Sequence, residues 1–580
     1  MQPHKYTNKN SDLEILTSDS DKLVNSLTDV MNKFNMKSNL MIFDFLKCKG
    51  FAVSSLLNIL IILPFYGIAN IYQLMRCGIN SLNINGQKDV FYDIKNNEFI
   101  DWRKLLQLHV RRFRYLINKT IDIKSIKTTA FIFDDTLLEK TGRKIEKISS
   151  VYDHVNSRYV FGYKLLVCGF WDGDSFIPLD FTLHREKGKK QEEYIKNYHT
   201  AIKQVEKQKI TVSKTQLNLN KNQQKLTINF KKYTNKQNKA NTLYYSKSKL
   251  KVENLESQIV ESQKLLNQYE KEKIQAYKEL KRYYSKGRMF GLSTKERESQ
   301  FKKAVNTKSH GFIRRKEADK DKIVSMLEMI CRLVKQGILP NYVLVDSWFF
   351  CYDLLEKLRV LKKGAIKLVS LVKINNQIFT ICQTNKEMSV KNIIKKYEGE
   401  SKKCKKMKAN YIRLNCYYKG IRVNLFFVRM GKCKTWHLLL TTDLELSFTK
   451  VMEIYQIRWS IEVFFKESKQ YLNLGNCQSN TFDAQIADIT ISMMQHIMLN
   501  YFKRIHYQQS IGALFIGLRK EITEMDLVSR LIAIFWELIE LLSDSNGIDF
   551  IEFQCSIMRN EEIMVKFIKL IPEKISNKAA

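Results

Sequence analysis

Residues 454–472 read IYQIRWSIEVFFKESKQYL, and their periodicity predicts one helix. Within this stretch Tyr455, Arg458, Glu462 and Lys469 follow the spacing Y-x2-R-x3-E-x6-K. At 3.6 residues per turn they share a face with Lys466. Beside that face runs an apolar stripe of Ile454, Ile457, Ile461, Phe464 and Phe465, so the helix can bury one side and present a carboxylate flanked by cations next to it. A carboxylate beside one Arg and two Lys suits a metal ion that must meet a phosphodiester. The acid would hold the metal, the cations would hold phosphates, and the phenol could contact a sugar or backbone oxygen. The same residues also suit a solvated face laced by i,i+4 Glu–Lys pairs, each worth about 0.2–0.5 kcal/mol.

Two acids upstream bear on that choice. In Thr128 to Thr136, the run Ala130 to Phe133 is a buried-strand signal that stops at Asp134 and Asp135. A second run, Tyr342 to Val345, ends at Asp346, with Ser347 and Trp348 after it. A carboxylate at the carboxyl end of a core strand sits where a ligand crevice forms. Each acid taken alone is equally a turn or helix-cap residue; three of them together point to a site.

On these residues the chain resembles the DDE transposases of the insertion-sequence class that share the Y-R-E-K signature, the group containing the Tn-five and Tn-ten transposases. The signature spacing matches without a gap, and Asp, Asp, Glu is the family order. The resemblance spans about Thr128 to Leu472. It implies an RNase H-like fold on which Asp134, Asp346 and Glu462 bind two divalent cations, Mg2+ or Mn2+. Asp134-Asp135-Thr136 resembles the family's D-x-T motif, whereas reading the motif as D-T selects Asp135 instead.

The resemblance further implies that DNA is the partner, both the terminal inverted repeats of the element and the target, with a homodimer forming on it. Tyr455, Arg458, Lys466 and Lys469 would hold phosphates. Trp436 lies near where relatives place a tryptophan that holds a flipped base, and a stacking role in the core is the other reading. The implied reaction is cut-and-paste: cleavage frees a 3′-OH, which attacks the opposite strand to form a hairpin and finally attacks the target. Two alternatives stay open, a metal-dependent nuclease on the same fold that cuts without joining, and a non-catalytic DNA-binding protein derived from a transposase.

The remaining pattern predicts an α/β catalytic domain over 121–472 with a mixed sheet. Tyr159 to Trp171 and Ser175 to Leu183 read as strands joined by an Asp172-Gly173-Asp174 hairpin turn. A helix at about Asp319 to Lys335 precedes the Asp346 strand, and a helix at Cys351 to Leu361 and a strand at Ala365 to Ile374 follow it. Strand-like runs at Tyr411 to Arg429 and Trp436 to Thr442 form a β-rich insertion, 376–445, before the glutamate. A second insertion, 195–290, reads as an antiparallel helical hairpin turning near Asn235 to Asn241. Its heptad positions are Val252, Leu255, Ile259, Leu266, Tyr269, Leu280 and Tyr283.

Residues 1–120 read as a helical domain, which the resemblance implies binds DNA at the terminal inverted repeats, with helices at Leu23 to Leu46, Phe51 to Met75 and Asp101 to Ile117. The last of these is dense in Arg103, Arg111, Arg112 and Arg114. Residues 473–580 read as helical and amphipathic, with Ile486 to Phe502 and Leu527 to Leu542 the clearest helices.

Lys and Arg number 97 against 59 Asp and Glu, a net charge of +38. Such a field favours a polyanion, although a Lys- and Asn-rich composition throughout also fits an AT-rich gene. The distribution says more than the total, because residues 201–320 hold 30 basic and 11 acidic residues, a surplus of 19 and half of the net charge. The 11 cysteines lack a C-x2-C pair, which argues against a zinc finger and for a reducing cytoplasm. The resemblance adds association with a bacterial nucleoid. No phosphate-binding G-x4-GK[ST] loop is present, so ATP is not expected. The apolar run Val53 to Ala69 is broken by Ser54, Ser55, Asn58 and Pro64 and reads as a buried helix rather than a membrane span.

Overall fold

The computed structural model describes residues 32–517 and 519, except 35, 47–49, 67, 69, 78–86, 121–126, 237, 288, 432, 434 and 506–509. The expected helix at Leu527 to Leu542 therefore lies outside the described residues, as does the start of the one at Leu23 to Leu46. In chain order the helices before the first strand are α1 (Met36–Met41), α2 (Val53–Ile62), α3 (Ile71–Cys77), α4 (Lys88–Lys95) and α5 (Trp102–Thr120). The strands β1 (Ala130–Glu139), β2 (Ser149–Asp153), β3 (Arg158–Trp171) and β4 (Phe176–His184) follow. Two long helices, α6 (Lys189–Asn235) and α7 (Lys239–Ser285), lead on through α8 (Thr294–Glu298), α9 (His310–Ala318) and α10 (Lys322–Lys335) to β5 (Tyr342–Val345). Next come α11 (Tyr352–Val360), β6 (Lys367–Val372), β7 (Ile378–Ile381), β8 (Glu387–Ser389), α12 (Val390–Tyr397) and β9 (Lys402–Cys404). The strands β10 (Ala409–Tyr418), β11 (Ile421–Met430) and β12 (His437–Thr441) precede the helices α13 (Phe448–Gln456), α14 (Trp459–Tyr471) and α15 (Phe482–Ile505).

The chain divides into two compact units. The first takes in Met1–Leu138, Leu165–His184 and Lys302–Ala580. Its sheet runs β4, the second half of β3, β1, β5, β6, β12, β11, β10, β7, β8. β1, β5 and β6 are parallel, while every pairing from β6 through β12 to β8 is antiparallel, so the sheet is mixed as the pattern predicted. The parallel centre is buried on both faces: Ala130 to Phe133 and Val343 to Val345 are inaccessible to solvent, as continuous apolar runs require. The strands expected as a β-rich insertion extend this sheet, because β12 pairs directly with β6, Leu438 opposite Val372 and Thr441 opposite Val369. At the β3–β4 turn Gly173 takes φ +106°, a conformation only glycine adopts without strain, and the Asp172 carboxylate accepts from the Ser175 amide at 2.9 Å.

Three expectations need correction in this unit. The helix expected from Phe51 to Met75 is broken, since Pro64 has no amide proton to continue α2, which ends at Ile62, and α3 starts at Ile71. The segment expected to be amphipathic, Ile486 to Phe502, lies in α15, which is buried from Phe482 to Phe502 except at Asp488, half-exposed and paired with Lys95. Several polar groups there find partners within the protein: Gln495 donates to the Ile61 carbonyl at 2.8 Å, Asn500 to the Phe176 carbonyl at 3.0 Å, and His109 meets the Met494 carbonyl at 3.2 Å. Third, where the sequence suggested a boundary near residue 120, the packing places α5 in the first unit against α15. Its arginines are largely committed there. Arg103 binds Asp180 and Glu317, both at 2.9 Å, Arg112 donates to the Lys33 carbonyl at 2.6 Å, and Arg114 covers the Phe170 ring.

Among the described residues no helix is long and apolar enough to cross a membrane, and α2, inside the apolar run Val53 to Ala69, contributes Leu56, Leu57, Leu60 and Ile61 to the core.

The second unit comprises Glu139–Lys164 and Arg185–Phe301. β2 pairs antiparallel with the first half of β3, Ser149 opposite Gly162 and Asp153 opposite Arg158. From it rise α6 and α7, each of 47 residues and so about 70 Å long. They form the antiparallel pair the heptads predicted, with Val252, Leu266 and Leu280 buried along the seam. Gln208 of α6 donates to the Ser262 carbonyl of α7 at 3.1 Å, and Asn229 to Ser248 at 2.7 Å. The turn falls where expected, because Asn238 caps α7 by accepting from the Asn241 amide at 2.8 Å.

In the first unit Asp180 of β4 is wholly buried between Arg103 and Arg332, 2.9 and 2.8 Å away. Burial alone would raise its pKa, but Arg103, Arg332 and Arg314 together hold it down, to about 2. Replacing it removes the carboxylate that Arg103 and Arg332 share and leaves Glu317 as the acid beside Arg103 and Arg314. Asp180→Ala is expected to cost about 3–5 kcal/mol, the usual result of breaking a buried pair on one side, read as a lowered urea midpoint in tryptophan fluorescence.

Candidate active site

Asp134 and Asp135 sit on β1, which does not stop at them as expected but runs on to Glu139, with Asp134 to Leu137 half-buried. The strand continues because Leu137 and Leu138 renew its apolar character beyond the acids. Adjacent side chains on a strand point to opposite faces, and the two acids part accordingly. Asp134 Oδ2 accepts from Arg458 at 2.8 Å, whereas Asp135 pairs with Lys322, at the start of α10, at 2.8 Å.

β5 lies parallel to β1 with Ile132 opposite Leu344. Continued by two residues, that register sets Asp134 level with Asp346 across a spacing of about 4.8 Å between strands. Asp346 ends β5 as predicted and closes the following turn through Oδ1, which accepts from the Trp348 amide at 2.8 Å and the Phe349 amide at 3.2 Å. Burial drives the pKa of Asp134 up, and Asp346 adds to the rise against the pull of Arg458, to about 7.

The helix expected over residues 454–472 is two. α13 ends at Gln456 and α14 begins at Trp459; between them the amides of Ile457, Arg458, Ser460 and Ile461 bond three residues back rather than four. Such a tightened turn is a recurrent mark of a functional hinge. It places Arg458 at the entrance to α14, where its guanidinium spans two acids: one nitrogen lies 2.8 Å from Asp134 and the other 2.5 Å from Glu462, one turn further along α14. Tyr455, at the end of α13, is close behind, with the Arg458 guanidinium 5.8 Å from its ring centre. Burial raises the Tyr455 phenol above its ordinary range, and Asp346 and Asp134 act in the same direction.

Phe464 fixes α14 on the core, with ring centres 5.2 Å from Phe176 of β4 and 4.8 Å from His496 of α15. At its far end Lys469 donates to Thr136 Oγ1 at 2.8 Å and to the Leu137 carbonyl at 2.9 Å, so α14 is laced along β1 from Asp134 to Leu137. Lys466 is exposed. Trp436 is held elsewhere: its indole N–H donates to Glu398 at 3.2 Å and Arg429 covers its ring at 4.6 Å.

The sequence reading passed over Lys322, Trp348 and Trp459. Lys322, besides pairing with Asp135, stands 4.6 Å over the ring of Trp348. It thereby ties the strand bearing one acid to the turn bearing the next. Trp348 is 46 % exposed, and Trp459, next to Arg458, is 61 % exposed. Their one sequence signal is adjacency to Asp346 and Arg458; for Lys322, remote in sequence from both its partners, there was none.

Carboxylate oxygens suit hard divalent cations such as Mg2+ and Mn2+, and two carboxylates as near as Asp134 and Glu462 require positive charge between them. Here Arg458 supplies it. Among the described residues no group of three or more His, Cys, Asp or Glu side chains is arranged to hold a metal ion.

If Lys322 braces the Asp346 turn, Lys322→Met should speed amide exchange at Trp348 and Phe349 by about 5- to 10-fold, corresponding to about 1 kcal/mol, with Lys322→Arg near wild type. Hydrogen–deuterium exchange read by mass spectrometry over 344–350 decides it, and unchanged exchange in Lys322→Met sets the brace aside.

A family model described as the transposase DDE domain matches residues 126–498. That span begins just before β1 and ends within α15. No curated protein matches the chain.

Proposed function

The chain belongs to the transposase DDE-domain family, a family of enzymes acting on DNA, and from that membership we propose that it is a cut-and-paste transposase of the insertion-sequence class with the Y-R-E-K signature, the class of the Tn-five and Tn-ten transposases. The observation that carries this is the meeting of Asp134, Asp346 and Glu462, the first two set level on neighbouring parallel strands and the first and last joined through Arg458. This arrangement on a mixed α/β sheet is consistent with an RNase H-like core.

Divalent metal ions are usual in the family. Asp134, Asp346 and Glu462 are the residues that would hold Mg2+ or Mn2+, two ions in the reading adopted here, and such ions polarise a phosphoryl oxygen and stabilise a leaving 3′ oxygen. The chain's own groups have separate work. Arg458 offers a planar fork that matches a phosphate bidentately. Lys466, exposed on α14, adds charge where a strand would pass. Lys469 holds α14 against β1, and Tyr455 supports Arg458 from behind. The pairing of Asp135 with Lys322 favours Asp134 as the acid of the site. Trp436, tied to Glu398 and Arg429, is left as a DNA contact only for a strand that reaches β12.

The reaction proposed is cleavage at the element ends followed by joining of the 3′ ends to target DNA through a hairpin intermediate, carried out by a homodimer on DNA at the bacterial nucleoid. The basic pair α6 and α7 is assigned to DNA outside the site, on its charge.

Labelled DNA carrying the flanking ends of the element, incubated with Mg2+ or Mn2+, should give nicked and joined products. Asp134→Asn, Asp346→Asn and Glu462→Gln should each lower both on the order of 10^3-fold or more, while Asp135→Asn stays within about tenfold of wild type. Cleavage without joining would make the protein a nuclease; binding with no chemistry in wild type would leave a DNA-binding remnant.

A further inference from the structure

Arg458 stands between two of the acids the proposed reaction needs, and no cation can share its place. Its guanidinium is in hydrogen-bond contact with Asp134 at 2.8 Å and Glu462 at 2.5 Å, and it is largely shielded from solvent. Both contacts are charge-assisted and come from one planar group, so they form and break together. Among the described residues no three acids are grouped to hold a metal ion, and withdrawing Arg458 would leave Asp134 and Glu462 without the guanidinium that joins them, with Asp346 a like charge beside Asp134.

What can withdraw it is a group that matches the same fork. A DNA phosphate does so, with two oxygens spaced like those of a carboxylate and a full negative charge. The means of movement is present as well. Arg458 lies in the tightened turn between α13 and α14, and Trp459 beside it is 61 % exposed, so the turn can re-pitch without opening the core. The other cations nearby are less suited to the exchange, because Lys469 is engaged with Thr136 and Leu137, and Lys322 with Asp135 and Trp348.

We propose that Arg458 couples DNA binding to cation uptake: it neutralises Asp134 and Glu462 in the free protein, and a DNA phosphate that takes over its guanidinium frees both carboxylates for the divalent ion. The inference rests on the reading of these acids as the cation ligands. It makes Arg458 a specificity-determining residue, since a strand that does not seat a phosphate at Arg458 does not complete the site. Coupling is reciprocal, so the cation tightens DNA binding by the same factor.

The test is Mn2+ binding by the full chain, followed by electron paramagnetic resonance of the free ion. It is measured without DNA and with a duplex of the element's own flanking sequence, for wild type, Arg458→Gln and Arg458→Lys. Wild type should bind Mn2+ weakly alone and about tenfold or more tightly with the duplex. Arg458→Gln should bind tightly without DNA and gain nothing from it. Arg458→Lys, which keeps the charge but cannot span both acids, should fall between. Circular dichroism checks that each variant folds; should Arg458→Gln not fold, the wild-type comparison and Arg458→Lys still decide.

Equal Mn2+ affinity in wild type with and without DNA, abolished by Asp134→Asn, would overturn the coupling and leave the assignment of the acids standing. No Mn2+ binding sensitive to Asp134→Asn in any state, DNA-bound included, would remove that assignment and the coupling with it.

Discussion

Two carboxylates set level on adjacent buried strands repel, and the register of β1 and β5 holds Asp134 and Asp346 in that position. β1 and β5 are parallel, in register, and apolar to the last residue before Asp134 and Asp346, so neither strand can slide without moving its whole buried set out of place. A cation must stand near such a pair. In this structure it comes from Arg458, 324 residues further along the chain than Asp134, and the rest of the first unit can be read as what brings it there. Phe464 seats α14 against Phe176 and His496, Lys469 ties its far end to β1, and α15, buried along Phe482 to Phe502, provides the surface on which α14 rests.

Much of this was legible in the sequence wherever short-range pattern governs. Tyr342 to Val345 ended at Asp346 as read, because an apolar run followed by Asp-Ser is both a strand and its terminator. The Asp172-Gly173-Asp174 turn and the heptads of α7 were equally local, the one set by glycine's access to positive φ and the other by repetition over many turns. What failed depended on distant partners. β1 was cut short at Asp134 because charged residues look like strand ends, yet Arg458 and Lys322 pair with the two acids and the ladder goes on. Residues 454–472 look like one helix because the break between α13 and α14 involves no proline or glycine. The tightened turn accompanies Arg458 reaching across to β1, which no periodicity announces.

The arginines of α5 show the same limit from the other side. Their density suggested a surface for DNA, but Arg103 is consumed by Asp180 and Glu317, and Arg112 and Arg114 by the Lys33 carbonyl and the Phe170 ring. Charge counts identify polyanion binders only where the charges stay in water. In α6 and α7 they do. Both helices bury one narrow seam and leave most of their lysines exposed, so the surplus between 201 and 320 is largely a surface property. Most of that surplus lies in the second unit, whereas Asp134, Asp346 and Glu462 lie in the first.

The fully buried Asp180 and the half-buried Asp134 meet opposite electrostatic surroundings. Asp180 and Asp134 both lose water, which alone raises a carboxyl pKa. Asp180 meets Arg103, Arg332 and Arg314 and is held down to about 2, a carboxylate with more positive charge than it needs. Asp134 meets Arg458, which it shares with Glu462, and the Asp135 amide, and burial together with the like charge of Asp346 outweighs them, so it rises to about 7. A fold that can surround one buried acid with three guanidiniums has left the other under-compensated. Such imbalance persists where a site awaits a partner that brings its own charge. On the proposed reading a divalent cation would meet the shortfall at Asp134, and Arg458 would then be free to meet the negative charge of the strand that arrives with it.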